Sequence, residues 1–118
     1  MAGTIVANTI NTDTGIYTTL NALNGVAKAW VNFVGSSGTV NSSFNVSSVT
    51  RNSSGNYTVN FANAMPNANY AVQATFGQAS VSTPYAPQVV TGSQTTTSSV
   101  VAAFGFDPTN FYVTYFGA

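Results

Sequence analysis

The regular alternation of polar and apolar residues is the feature of this sequence that most constrains its fold. In NYTVNF, residues 56–61, Tyr57, Val59 and Phe61 fall on one side of an extended chain and three polar residues fall on the other. Patterns that favour helices are scarce, because Val, Thr and aromatic residues are abundant and Asn, Gly and Ser recur every few positions. We therefore expect an all-β fold, an antiparallel β-sandwich or a jelly-roll-like domain.

Neighbouring segments extend this pattern. Residues 44–51 are predicted to form a hairpin with residues 56–61, because NSSG at 52–55 is rich in residues that tolerate positive φ. Residues 27–33 and 70–76 alternate as well. Ala29, Val31 and Phe33 are predicted to face the core, and Lys28, Trp30 and Asn32 to face away from it. The side chains predicted to share one face of the later segment are Tyr70, Val72, Ala74 and Phe76.

A chain of 118 residues is long enough for one domain. We expect residues 26–118 to form the antiparallel β domain and residues 1–25 to form an extended N-terminal arm. The arm, which we expect to serve as an attachment segment, should contain a short strand at residues 4–10. It crosses to a neighbouring subunit, docks onto a larger body, or forms the first strand of the same sheet. Residues 81–90 contain Pro84 and Pro87, which predicts an edge strand or a long loop there.

The last two predicted strands, residues 99–106 and 111–116, carry apolar side chains on both faces. A strand that is apolar on both faces is covered on both faces. Because a chain this short cannot readily cover a sheet twice, we assign one of these faces to a subunit interface. The candidate interface residues are Phe111, Tyr112, Val113, Tyr115 and Phe116.

Charged side chains are almost absent, at 3% of the chain. Asp13, Lys28, Arg51 and Asp107 balance to a net charge of zero, so the chain lacks the basic surface that nucleic acids or anionic membranes require. No apolar stretch reaches the roughly 18 residues of a membrane span, so we expect no membrane insertion. A neutral monomer with open strand edges associates readily, and we therefore predict a homo-oligomer.

The residue types that usually perform catalysis are missing as well. The chain contains no Cys, His or Glu, which removes the common general bases, thiol nucleophiles and best metal ligands. Asp13 and Asp107 remain as a conceivable carboxylate pair, but we favour turn and capping roles for both. The sequence therefore predicts a protein that is not an enzyme and that holds no metal or cofactor.

Two aromatic residues are candidates for contact with a glycan or a protein partner. Trp30 shares the outer side of its predicted strand with Lys28 and Asn32, where it could stack on a sugar ring or fill a partner's pocket. The alternative, which we favour, is that Trp30 packs within the protein. Tyr85 lies between two prolines in a predicted loop, and loops often carry binding specificity.

Four motifs occur in order, namely GVAKAWVNF at residues 25–33, SFNVSSVTR at 43–51, GNYTVNF at 55–61 and AMPNANY at 64–70. Together they resemble a module of tail-fibre and other virion proteins of bacteriophages, marine and cyanobacterial phages especially. The opening GTIVANTI is similar to the leading segment of such proteins, and the likeness fades from Gly77 onward.

This resemblance implies a β-rich, trimeric, non-enzymatic component of the virion surface, made in the host cytoplasm. Its partners would be other virion proteins, either in the capsid, as a decoration protein, or in the tail, as a small fibre. The alternative hypothesis, from the residue types alone, is a carbohydrate-binding module that recognises a host surface glycan.

Overall fold

The computed structural model describes residues 3–4, 6–12, 15–18, 25–78 and 86–117, and the described residues form ten strands. The strands are β1 (Thr9–Thr12), β2 (Gly15–Thr18), β3 (Ala27–Val34), β4 (Val40–Phe44), β5 (Val46–Ser53), β6 (Asn56–Phe61), β7 (Ala71–Gly77), β8 (Gln88–Val89), β9 (Ser98–Ala102) and β10 (Asn110–Phe116).

Eight of these strands form two four-stranded sheets. The first sheet has the order β4-β3-β10-β7 and the second has the order β5-β6-β9-β8. β1 and β2 form a separate two-stranded hairpin. Every strand pair is antiparallel. The two sheets pack against one another, which confirms the predicted all-β sandwich.

The core between the sheets contains two aromatic clusters. In the first, the ring centroids of Phe33, Tyr57 and Phe111 lie 5.0 to 5.6 Å apart. In the second, those of Phe61, Tyr70 and Tyr115 lie 4.9 to 5.7 Å apart, all edge to face. Burial of a large apolar side chain contributes roughly 1.5–3 kcal/mol, so these clusters supply much of the stability of the sandwich.

The predicted alternation is confirmed in the three strands where it was clearest. Alternate residues of β3 and β6 are buried in the core. Val72, Ala74 and Phe76 of β7 are half-buried and pack against that core. The opposite faces of these strands carry mainly polar side chains, because successive residues of a strand point to opposite sides of the sheet.

The predicted hairpin is also confirmed, with β5 paired to β6. The turn contains Gly55, whose φ of 70° is a conformation that favours glycine. A Cβ at this position would collide with the backbone oxygens of Ala103 and Phe106, so no other residue fits. Phe44, predicted as the first residue of this hairpin, belongs instead to β4 in the other sheet.

A single residue, Asn45, carries the chain from β4 in the first sheet to β5 in the second. Its φ of 54° turns the backbone sharply, and it is the one described residue other than glycine with positive φ. Its side-chain amide donates to the backbone oxygens of Lys28 (3.1 Å) and Asn63 (3.2 Å), and its Oδ1 accepts from the Asn63 N–H (2.7 Å). The corner is therefore held by side-chain hydrogen bonds on both sides.

Several other predicted boundaries differ from the structure. The strand expected at residues 99–106 ends early, at Ala102. The strand expected at residues 4–10 begins later, at Thr9, and continues into the expected polar break at residues 11–15. The backbones of Thr and Asn donate and accept the hydrogen bonds between strands as those of other residues do. Polar side chains in this segment therefore do not end the strand. Of the edge strand or long loop expected at residues 81–90, the described part contains β8, a two-residue edge strand at Gln88–Val89.

Candidate functional site

The outward-facing side of the first sheet carries an unusual set of exposed aromatic side chains. Trp30 on β3 is 38% exposed, Phe44 on β4 is 54% exposed, and Tyr112 on β10 is 40% exposed. Trp30 and Phe44 are direct partners across adjacent strands. We call this side of the sheet, with these three residues, the aromatic face.

The register of the strands sets two rows of side chains across this face. One row is Phe44, Trp30, Thr114 and Gln73, and the next is Ser42, Asn32, Tyr112 and Thr75. Trp30 and Tyr112 are diagonal neighbours in these rows, a relation that brings side chains within reach of one another. The three aromatic residues therefore lie on the same face of three neighbouring strands, β4, β3 and β10.

The polar residues beside these aromatic residues are uncharged amides and hydroxyls. The Asn32 Oδ1 accepts hydrogen bonds from the side-chain amides of Asn41 (3.2 Å) and Asn110 (3.5 Å). These bonds hold the Asn32 side chain across three strands. A partner of this surface would meet aromatic rings and neutral hydrogen-bonding groups.

The predicted interface on β10 needs correction. Phe111, Val113 and Tyr115 are fully buried within a single chain, so these side chains have no surface left for a second subunit. The strand is covered on its inner face by the second sheet of the same chain. Tyr112 points outward on the aromatic face, and Phe116 is half-buried at the end of the strand.

The structure also changes the interpretation of Trp30. We favoured packing within the protein, but no described element covers the outer side of the first sheet, and the indole stays partly exposed. The prediction that Trp30 faces away from the core is confirmed. Tyr85, the second candidate contact residue, lies outside the described residues.

A groove of about 560 Å³ borders the aromatic face along β7. Its lining includes Gln73, Thr75, Tyr112 and Thr114 of the first sheet, together with Pro87. The Tyr112 ring extends over the end of β7, because a Cβ placed on Gly77 would lie 3.5 Å from the Tyr112 hydroxyl. None of the described residues that line the groove is charged.

The outward side of the second sheet has a different chemistry. Asn52 donates to Asn56 and Thr58, each at 2.8 Å. Asn60 donates to Ser48 (3.1 Å) and, more weakly, to Thr50 (3.4 Å). Short polar side chains thus satisfy one another on this side, which carries no exposed aromatic residue among those described.

Asp107 lies at one end of the sandwich and accepts hydrogen bonds from three groups. The Arg51 guanidinium binds both carboxylate oxygens, with the shortest distance 2.7 Å, and the Gly55 N–H (3.0 Å) and the Tyr57 hydroxyl (2.6 Å) bind Oδ1. Arg51, followed by Tyr57 and Gly55, holds the pKa of Asp107 well below its usual range.

These contacts give Asp107 a structural role that fits the predicted capping function. An ionised carboxylate engaged on both oxygens is a poor proton donor at neutral pH. Asp13, its potential catalytic partner, lies outside the described residues. Within the described part of the chain, no group of three or more acidic or metal-ligating side chains is placed to hold a metal ion, and no helix is long and apolar enough to cross a membrane.

Comparison of this chain with models of protein families, with curated proteins and with solved structures gives no match. The candidate site is therefore argued from its own geometry. It consists of the aromatic face and the groove along β7. Sequence analysis named Trp30 and Tyr112 as candidate contact residues, but it did not name Phe44, which it placed in the hairpin with residues 56–61.

Proposed function

We propose that this protein is a non-enzymatic structural component of a bacteriophage virion surface, a small tail-fibre-like or capsid-attached decoration protein that assembles as a homotrimer. Two of the motifs that resemble phage virion proteins coincide with β3 and β6, which carry much of the core. The likeness therefore concerns the residues that specify the sandwich, and it supports a shared architecture for this part of the chain.

The observation that carries the proposal is the aromatic face on an almost uncharged chain. Exposed aromatic residues that cluster on one side of a monomer mark a contact surface. With only two basic and two acidic residues, the chain also lacks the charge that usually keeps small monomers apart. Association with copies of itself and with other virion proteins would bury Trp30, Phe44 and Tyr112.

The mass of the purified protein, measured by light scattering, tests the assembly. We expect a mass near three times 12.2 kDa for the wild type. Phe44→Ser should lower the mass, because it removes an exposed ring from the aromatic face. Phe104→Ser is the matched control, since Phe104 is 62% exposed but follows β9 of the other sheet. Equal masses for the two variants would mean that the aromatic face takes no part in the assembly.

Immunogold labelling of phage particles tests the location. An antibody raised against the folded protein should decorate intact particles, and the pattern should distinguish a capsid position from a tail position. A protein found only in lysates of infected cells and never on purified particles would contradict the proposal, whatever its oligomeric state.

A second candidate function is carbohydrate binding, directed at a host surface glycan. It is favoured by the position of Trp30 and Tyr112 among neutral hydrogen-bonding groups, including Asn32 and Gln73. Aromatic rings provide an apolar surface for sugar rings, and amides pair with hydroxyls. A glycan array with the wild type and with Trp30→Ala tests it. Binding that is lost in the variant while the mass stays unchanged would favour this function.

A further inference from the structure

The outer edge of β7 is the longest regular strand edge without charge in the described sandwich. β7 pairs with β10 over seven successive positions without a register shift. Among the described strands it has no partner on its other side. Its sequence, AVQATFG, contains neither a charged residue nor a proline.

The other three sheet edges each carry a feature that discourages pairing. β4 has five residues and an irregularity in its register with β3. β5 has two such irregularities and contains Arg51. β8 has two residues and follows Pro87 directly. Short length, bulges, charge and proline are among the means by which proteins protect strand edges, and the β7 strand itself has none of these four.

The groove described above follows this unprotected edge. Its lining includes residues 72–75, four consecutive positions of β7. Because successive side chains of a strand point to opposite sides of the sheet, a groove that touches four in a row reaches the edge of the strand, while Tyr112 and Thr114 of β10 line the part on the outer face. Its shape therefore suits an extended chain that would add to the sheet by backbone hydrogen bonds.

The N-terminal hairpin supplies strands that lack a place in either sheet. β1 and β2 are four residues each, and they pair with one another and with no strand of the sandwich. A two-stranded hairpin alone is marginally stable in water. Addition to an existing sheet would supply a third strand and a surface on which to pack.

We propose that the N-terminal hairpin of one copy adds to the β7 edge of a second copy. The inference rests on the proposed homo-oligomer and names the contact that forms it. The contact joins two different surfaces of the protein. When such a contact is repeated around a three-fold rotation axis, the copies form a closed ring, which is the arrangement of a trimer. The neutral strands on both sides meet without repulsion, and the added hairpin extends the first sheet beside the aromatic face.

Two pairs of full-length variants, compared with the wild type by light scattering, test the proposal. Thr75→Lys places a charge on β7 beside the groove, and Thr50→Lys is its control, an exposed threonine on the edge strand of the other sheet. Asn11→Pro removes a backbone donor from β1, and Val6→Pro is its control, since Val6 is exposed and precedes the strand. Circular dichroism verifies folding, and Gln73→Lys replaces Thr75→Lys if that variant does not fold.

We expect Thr75→Lys and Asn11→Pro to be monomers at a concentration where the wild type and both controls are oligomers. Hydrogen exchange supplies a second readout. The β7 amides that do not bond to β10 should exchange slowly in the wild type and at least tenfold faster in the two monomeric variants, because they lose their partner strand.

Three outcomes would overturn the inference. If both variants remain oligomers and their β7 amides exchange as slowly as in the wild type, the β7 edge is not an interface. Immunogold labelling of phage particles tests the proposed function independently of this result. If Thr75→Lys is monomeric and Asn11→Pro is not, the hairpin does not occupy the edge. If the wild type is a monomer whose outer β7 amides exchange rapidly, both the oligomer and the strand addition are wrong.

Discussion

Asp107 shows how a single side chain joins distant parts of this chain. Its hydrogen bonds reach Arg51, Gly55 and Tyr57, which lie 50 to 56 positions earlier in the sequence. The sequence predicted a capping aspartate from the following proline and the surrounding turn residues. It could not predict the partners, because they depend on the pairing of β6 with β9, which brings the β5–β6 turn to the segment after β9.

Substitution of Asp107 should destabilise the protein more than substitution of its charged partner. Asp107→Ala leaves the Gly55 N–H and the Tyr57 hydroxyl without their acceptor, which costs about 2 kcal/mol of unfolding free energy. Arg51→Gln removes the ion pair but keeps those two bonds, and exposed ion pairs contribute little. Urea denaturation at neutral pH measures both variants. Equal losses would mean that the ion pair accounts for the whole effect.

The same residue sets the response to acid. The pKa of Asp107 is depressed by Arg51, so the carboxylate stabilises the folded state at every pH above about 4, the ordinary value in an unfolded chain. The unfolding free energy should fall as the pH drops from about 4 toward the lower folded-state pKa. Asp107→Asn should flatten this decrease in denaturation measurements between neutral and acidic pH.

At the scale of elements, the strands and their core-facing residues were predictable and their partners were not. Alternation in β3, β6 and β7 follows directly from the geometry of a strand with one buried face. The interface prediction for β10 was wrong because Tyr112 and Phe116 on the outer side of the strand are aromatic. Their presence made both faces of the strand appear apolar in the sequence. Which side chains are covered depends on the order β4-β3-β10-β7, in which β10 pairs with a strand about 80 positions earlier.

The corner between β4 and β5 offers a test at this scale. Asn45→Gly should keep the backbone turn, since glycine accepts the φ of 54°, but it loses the three side-chain hydrogen bonds. Asn45→Ala loses those bonds and adds a left-handed strain of about 1 kcal/mol. We expect the order wild type, Gly, Ala in unfolding free energy. An alanine variant as stable as the glycine variant would contradict the role assigned to the backbone conformation.

At the scale of the whole molecule, the two outer sides of the sandwich differ in their surface chemistry. The second sheet presents Asn, Ser and Thr side chains that bond to one another, as between Asn60 and Ser48. The first sheet presents aromatic rings and an unprotected edge. A protein with so little charge therefore has one outer side whose polar groups are already paired and one that is open to contact, and the proposed assembly uses the open side.

The near absence of ionisable groups also shapes the dependence of stability on pH. With no His or Cys, no side chain has an ordinary pKa between about 5 and 8. Tyr57, Tyr70 and Tyr115 are buried in the core, and burial is the largest cause that raises the pKa of each. The unfolding free energy should therefore stay nearly constant through neutral pH and fall above about pH 10, where these tyrosines ionise in the unfolded chain alone.

The slope of this decrease in unfolding free energy depends on how many buried tyrosines keep their proton in the folded state. A group that keeps its proton only in the folded state lowers the unfolding free energy by about 1.4 kcal/mol per pH unit above its unfolded pKa. Tyr115→Phe leaves the Ser99 hydroxyl without its 2.8 Å partner and so lowers stability at every pH. It also removes one of these groups, so the alkaline slope should decrease. Denaturation at a series of alkaline pH values measures the slope, and an unchanged slope would mean that Tyr115 ionises within the folded sandwich.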